Sequence, residues 1–309
     1  MATTIRAAAV SVDPDTGSYF ELAARAARTC LERADVYVDE VGMLVNTGLV
    51  RDNNLAEPAG AALIQQRIGL GLDYYPGQTP AFSFDLAHGA AGLLYGISVV
   101  ECCLATGEVE YALLLAGEAH PSTERGVAGF PYSTGAAALL LGTSPVAGGF
   151  GRLHTCDPTG PIEPATWFDL SAAGTNGRSS IEVRPGGDPL DPAVEVVRAG
   201  MAEEGLDRAD FTAGRAVLLA PAPDPGFPAR AANALGLPPE SVVGVAPEIG
   251  DPYSAAPVHA YLNAQRSGRL DTADTVLFLA AFDASAACLT YRPRARSTEP
   301  TKSTHLLTG

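Results

Sequence analysis

Apolar residues along this chain fall into two alternating kinds of segment. Short unbroken runs such as residues 111–117 (YALLLAG) and 135–142 (GAAALLLG) have the length of buried strands and carry no polar face. Longer stretches show helical spacing. Residues 18–34 (SYFELAARAARTCLERA) place Ser18 as an N-cap, and residues 57–69 (EPAGAALIQQRIG) open at Pro58 and close at Gly69. Residues 82–103 (FSFDLAHGAAGLLYGISVVECC) read as a strand, a sharp turn at His88–Gly92, and an apolar helix that closes at Gly107. Strands apolar on both faces, alternating with helices, predict a mostly parallel sheet covered on both sides. No apolar run reaches the roughly 18 residues of a membrane helix.

The order then repeats. AVLLAPAP (216–223) echoes GMLVNTG (42–48), and DPGFPARAANALG (224–236) echoes EPAGAALIQQRIG. PYSAAPVHAYLNAQRSG stands where the helix closing at Gly107 stood, DTVLFLAAF (274–282) mirrors EYALLLAG, and SAACLTYR (285–292) mirrors GAAALLLG. A duplicated α/β unit is the simplest account. The expected division is an N-terminal half at 1–160, a C-terminal half at 161–292 and a polar tail at 293–309 without period, read as disordered. A Gly/Pro-rich linker is expected near residues 158–164, and residues 186–206 are the first helix of the second half.

Composition narrows the partners. With 309 residues, 47% of them hydrophobic, the chain can bury a large core. Its 35 acidic against 20 basic residues give a formal charge of −15, which argues against nucleic acid and against an anionic membrane surface. The N-terminus lacks the layout of a signal peptide. Five scattered cysteines fit reduced thiols, so a cytoplasmic location is expected. Cys102 and Cys103 lack the spacer of a metal or redox pair and are expected to pack along their helix. GGFG (148–151) lacks the lysine and helix of a phosphate cradle. No metal and no cofactor is implied.

FDLAHGAAG with the helix behind it, YALLLAGEA, and ALGLPPESVV in the second half resemble the thiolase superfamily, closest to ketoacyl-acyl-carrier-protein synthase III. The resemblance runs from about Ile5 to Tyr291 and implies a duplicated α/β thiolase-like fold in five layers, αβαβα. It also implies acyl-carrier-protein or acyl-coenzyme A thioesters as partners. Family chemistry loads an acyl group on a cysteine thiolate at a helix start, and a histidine and an asparagine polarise the carbonyl. Carried onto this sequence, the cysteine falls on Ala90, the histidine on Pro221 and the asparagine on Asp251. A methyl group cannot hold an acyl chain, proline offers no donor, and an ionised carboxylate opposes a developing enolate.

His88, two residues before the apex, and Asp251 are the catalytic candidates; Ala90, Arg51 and Asn53 are the substrate-contact candidates. His120 and Glu118 read as a surface loop pair, with the rim of a pocket as the alternative. The polar loop at 46–58 (NTGLVRDNNLAEP) reads as a partner contact, since the resemblance places that region near a neighbouring subunit's pocket. The strand from Phe82 to Leu86 is expected at a sheet edge and, by the resemblance, pairs across a two-fold axis in a homodimer or in a heterodimer with an active ketosynthase. The resulting expectation is a degenerate, non-elongating subunit of a fatty acid or polyketide synthase. The alternative is an acyltransferase or condensing enzyme acting without a covalent cysteine intermediate, and a free-standing elongating synthase ranks third.

Overall fold

A computed structural model describes residues 1–71, 80–158, 166–169, 171, 177–184 and 186–293. The tail after residue 293 and most of the expected linker lie outside the described residues.

The first half contains strand β1 (Ala2–Ser11), helix α1 (Tyr19–Ala34), β2 (Val41–Asn46), α2 (Gly60–Ile68), β3 (Phe82–Asp85), α3 (Gly92–Thr106), β4 (Tyr111–Glu118) and β5 (Gly135–Ser144). The same order returns as β6 (Gly149–Cys156), α4 (Leu190–Glu204), β9 (Ala216–Leu219), α6 (Phe227–Leu235), β10 (Val242–Val243), α7 (Ala256–Arg266), β11 (Thr275–Phe282) and β12 (Ser285–Arg292). A small ribbon of β7 (Thr166–Trp167) and β8 (Glu182–Val183) and the short helix α5 (Arg208–Thr212) are additions without a first-half counterpart.

Each half builds a five-stranded sheet, in the orders β1-β5-β4-β2-β3 and β6-β12-β11-β9-β10. The duplication seen in the apolar pattern therefore holds strand for strand. The expected mostly parallel sheet does not: β2 runs parallel to β3 and β4, but β5 runs antiparallel to β1 and β4, and the second sheet repeats this mixture. The reason lies in the connections. β11 turns into β12 through two residues, Asp283 and Ala284, too few for a crossover helix. Cys156, expected in a strand, ends β6, whose GFGRLHTC sequence is mostly half-exposed along the edge of the second sheet.

Three apolar cores stack the layers. Between the sheets, Leu93, Leu94, Ile97 and Val100 of α3 and Val258 and Ala260 of α7 pack together with Val45, Leu114, Leu219 and Phe278. Outside the first sheet, α1 and α2 bury Leu22, Ala26 and Ile64 against Leu113 and Leu140. Outside the second, α4 and α6 bury Val197, Phe227 and Ala231 against Leu218 and Leu277. The five-layered αβαβα arrangement follows. Residues 89–106 have the length and mean hydropathy, 1.5, of a membrane span, contrary to the expectation from apolar runs. Half of that window is buried inside the fold, as the central-layer position of α3 requires.

Local signals placed the helices. Ser18 caps α1, accepting from the Glu21 N–H at 3.3 Å, and Gly69, Gly107 and Gly236 close α2, α3 and α6 in the left-handed region.

Candidate functional site

The turn into α3 is tight. His88 O accepts from Ala91 N–H at 3.1 Å and Gly89 O from Gly92 N–H at 3.2 Å, with Gly89 at φ 51°. Glycine is needed there for a second reason. A Cβ on Gly89 would stand 2.8 Å from the Phe282 ring and 3.1 Å from the Tyr253 hydroxyl. Ala90, at the apex, is 2% exposed. Two aromatic side chains from the second half thus close over the head of α3, and the buried methyl of Ala90 brings no nucleophile.

The Tyr253 backbone carries the cost of this placement, a left-handed φ of 46° for a bulky residue. Its N–H donates to Asp251 Oδ1 at 2.9 Å, an Asx turn that holds the loop before α7. The Tyr253 ring stacks on Tyr132 with centroids 4.3 Å apart, and Ser133 N–H donates to Asp251 O at 2.7 Å. Loops from both halves therefore meet here. Asp251 is half-buried, and burial pushes its carboxyl up to about 6, against a smaller opposing effect of the Tyr253 N–H. Asp251, Tyr253, Tyr132, Phe282 and Arg230 border one cavity of about 290 Å³.

His88 joins this cluster by packing, edge-on to Tyr95 at 4.1 Å and to Phe282 at 6.4 Å. Among the described residues its ring meets no hydrogen-bond partner. Pro221 is buried just after β9 but does not line the cavity; Pro223, two residues on, does.

The structure places Arg51 and Asn53 elsewhere. Arg51 turns inward, donating to Asp85 Oδ2 at 2.9 Å and to Leu55 O at 2.7 Å. Asp85 also accepts from Asn46 Nδ2 (3.0 Å) and from the Gly60 and Ala61 N–H groups (2.8 and 2.7 Å), so it caps α2 from the edge strand. Asn53 is exposed in the left-handed region, its N–H donating to Pro121 O, while Asn54 reaches the Arg178 and Ser180 carbonyls. Most of this loop's polarity is spent within the chain.

Glu118 and His120 are not a surface pair. Glu118 is wholly buried and His120 is 9% exposed. Burial pushes the Glu118 carboxyl up to about 8 and holds the His120 imidazole below its ordinary value. Cys102 departs from expectation the other way: it is exposed, whereas Cys30 and Cys288 are buried. Tyr132, Tyr253 and Phe282 were missed as site residues; FPYSTG and GDPYS carried the only signal, aromatic residues inside turns.

No protein-family model matches the chain. Among solved structures, 3-oxoacyl-(acyl carrier protein) synthase III, FabH, from Pseudomonas aeruginosa PAO1 superposes with a TM-score of 0.73 at 17% identity, covering 94% of this chain and 98% of that one. The fold is thiolase-like. Among curated proteins, a beta-ketoacyl-[acyl-carrier-protein] synthase III of Pectobacterium atrosepticum is 33% identical over 124 residues, 39% of this chain and 36% of that protein. An acyl-CoA:acyl-CoA alkyltransferase of Xanthomonas campestris is 30% identical over 98 residues, 32% of this chain and 26% of that protein. By sequence, the chain thus matches about a third of these relatives' length, while the thiolase-like fold extends over nearly all of it.

Proposed function

We propose that this thiolase-like chain is a non-elongating, ketosynthase III-like subunit of acyl-thioester metabolism that assembles with an active synthase of the same fold. The observation that supports the reading is the turn into α3, where a buried alanine, Ala90, stands at the apex and Phe282 and Tyr253 crowd the adjacent Gly89. Loss of the Cys-His-Asn set at Ala90, Pro221 and Asp251 removes covalent loading, carbonyl polarisation and enolate stabilisation together.

The assembly surface we propose is the edge strand from Phe82 to Leu86. β3 is the outermost strand of the first sheet, and Phe82 is 61% exposed on it. Leu86 N–H donates inward to Asn46 O at 2.9 Å, so alternation along the strand turns the N–H groups of Ser83 and Asp85 outward, ready for a second strand. The exposed Asn53 and Glu57 of the neighbouring loop would meet the partner's pocket rim. Co-expression with an intact ketosynthase followed by native mass spectrometry tests this: a stable heterodimer supports it, and homodimers alone with thioester turnover by the isolated chain overturn it.

A second reading has its own support. His88, two residues before the apex, packs edge-on to Phe282, and Asp251 lines the cavity that Phe282 also borders, its carboxyl raised by burial to about 6. Either could serve as base in acyl transfer from an acyl-carrier-protein or acyl-coenzyme A thioester without covalent loading. Turnover by the pure chain that is abolished in His88→Ala or Asp251→Asn would favour it.

A further inference from the structure

The polar groups around the 290 Å³ cavity differ in how far they are already matched. Arg230 is spent on Asp188 and Asp224, each at 2.7 Å. The Arg184 guanidinium lies 4.5 Å over the Trp167 ring. Asp283 accepts from the Gly186 N–H at 2.8 Å. Asp251 accepts a single backbone N–H and, among the described residues, meets no cation. A carboxyl withdrawn from water without a countercharge is a standing cost that a bound cation would recover.

The wall beside it is aromatic. Tyr132 and Tyr253 stack at 4.3 Å, and Phe282 stands edge-on to Tyr253 at 6.3 Å. An aromatic wall in the same cavity as a carboxylate suits a cation in two ways, by its π-electrons and by direct charge. We infer that this cavity is a binding site for a small ligand bearing a primary ammonium group, held by Asp251 against Tyr132, Tyr253 and Phe282. A primary ammonium has hydrogens to give the carboxylate, which a quaternary one lacks. The volume lies just below the roughly 300–1,000 Å³ usual for small-molecule pockets, so the ligand is compact. A phosphate-bearing arm fits poorly, because Asp188, Asp224 and Asp283 share the same rim and both arginines are engaged. The site needs this chain alone and stands independently of the proposed subunit role.

Isothermal titration of the full chain at neutral pH with phenethylamine, 2-phenylethanol and 3-phenylpropionate tests it. The amine should bind saturably at one site, with the alcohol and the acid about tenfold weaker or more. Asp251→Asn retains the acceptor for the Tyr253 N–H and should weaken the amine about tenfold while leaving the alcohol unchanged. If that variant does not fold, Phe282→Leu, which keeps the carboxylate, should weaken the amine several-fold. Equal binding of all three compounds, indifference of the amine to these variants, or no saturable amine binding at millimolar concentration would overturn the assignment. Saturable binding of pantetheine without the amine would overturn it in favour of a thioester arm.

Discussion

The Ser254 hydroxyl, in the second half, donates at 2.7 Å to the wholly buried carboxyl of Glu118, in the first. The other Glu118 oxygen accepts from the Val50 N–H at 2.6 Å, and Ser254 Oγ accepts from the Gly117 N–H at 2.9 Å. One carboxyl thus joins the end of β4, the loop after β2 and the segment that leads into α7.

That carboxyl makes stability depend on pH. Burial raises Glu118 to about 8 in the folded chain, so the folded state holds the proton more tightly than the unfolded state. Its contribution is complete below the ordinary carboxylate value and is lost as pH rises to about 8. Asp251, near 6, and Glu101, near 7, act in the same sense at lower pH. His259, pushed down to about 4 by burial, opposes them only up to its ordinary value of 6.5. Between pH 7 and 8 Glu118 dominates. The melting temperature should fall over that interval, and Glu118→Gln should flatten the fall; parallel curves would refute the assignment.

Asp85→Ala should destabilise by about 2–4 kcal/mol, since it removes the cap of α2 and strands the partly buried Arg51. Asp85→Asn should cost less, because its amide oxygen still accepts from the helix N–H groups. Urea unfolding measures both. A loss below about 0.5 kcal/mol for the alanine variant would mean that the loop holds without this hub.

Ser83→Pro removes an outward N–H while sparing the inward ladder to β2. Light scattering should show weaker self-association or weaker partner binding, with an unchanged circular dichroism spectrum. A chain that remains monomeric at micromolar concentration with or without a partner would rule out β3 as the assembly edge.

Incubation with acyl-coenzyme A and acyl-carrier protein should leave no stable acyl mass on residues 82–107, given Ala90 at the apex. Ala90→Cys alone should not elongate malonyl substrates, as Pro221 and Asp251 remain and Tyr253 still covers the turn. Robust elongation by this single variant would show that the other two positions are compensated.

Native thiol titration should find Cys102 fast and Cys30 and Cys288 silent until unfolding. Burial lifts both of the latter thiols to about 12, suppressing the thiolate. Rapid modification of Cys288 in the folded chain would contradict the packing of β12 against α4.

Hydrophobic periodicity, Ser18 and the closing glycines were enough to place α1, α2, α3 and α6, because helix ends are decided within a few residues by local hydrogen bonds and backbone freedom. The repeated order of apolar runs likewise revealed the duplication, and the turn at His88–Gly92 showed Ala90 at its apex. Strand direction was not legible in the same way, since one buried apolar run looks alike whether its neighbour is parallel or antiparallel. The sequence placed Cys156 in a strand, but the partners of β6 at the edge of the second sheet came only from the fold. The cavity depended wholly on the tertiary structure. Tyr132, Tyr253 and Phe282 come from three separate segments and meet only when the two sheets close around α3 and α7. The inward turn of Arg51 toward Asp85 and the burial of Glu118 beneath Ser254 have the same origin. A charged side chain reads as solvated in a linear sequence, and only the packing of distant elements takes it out of water and selects its partner.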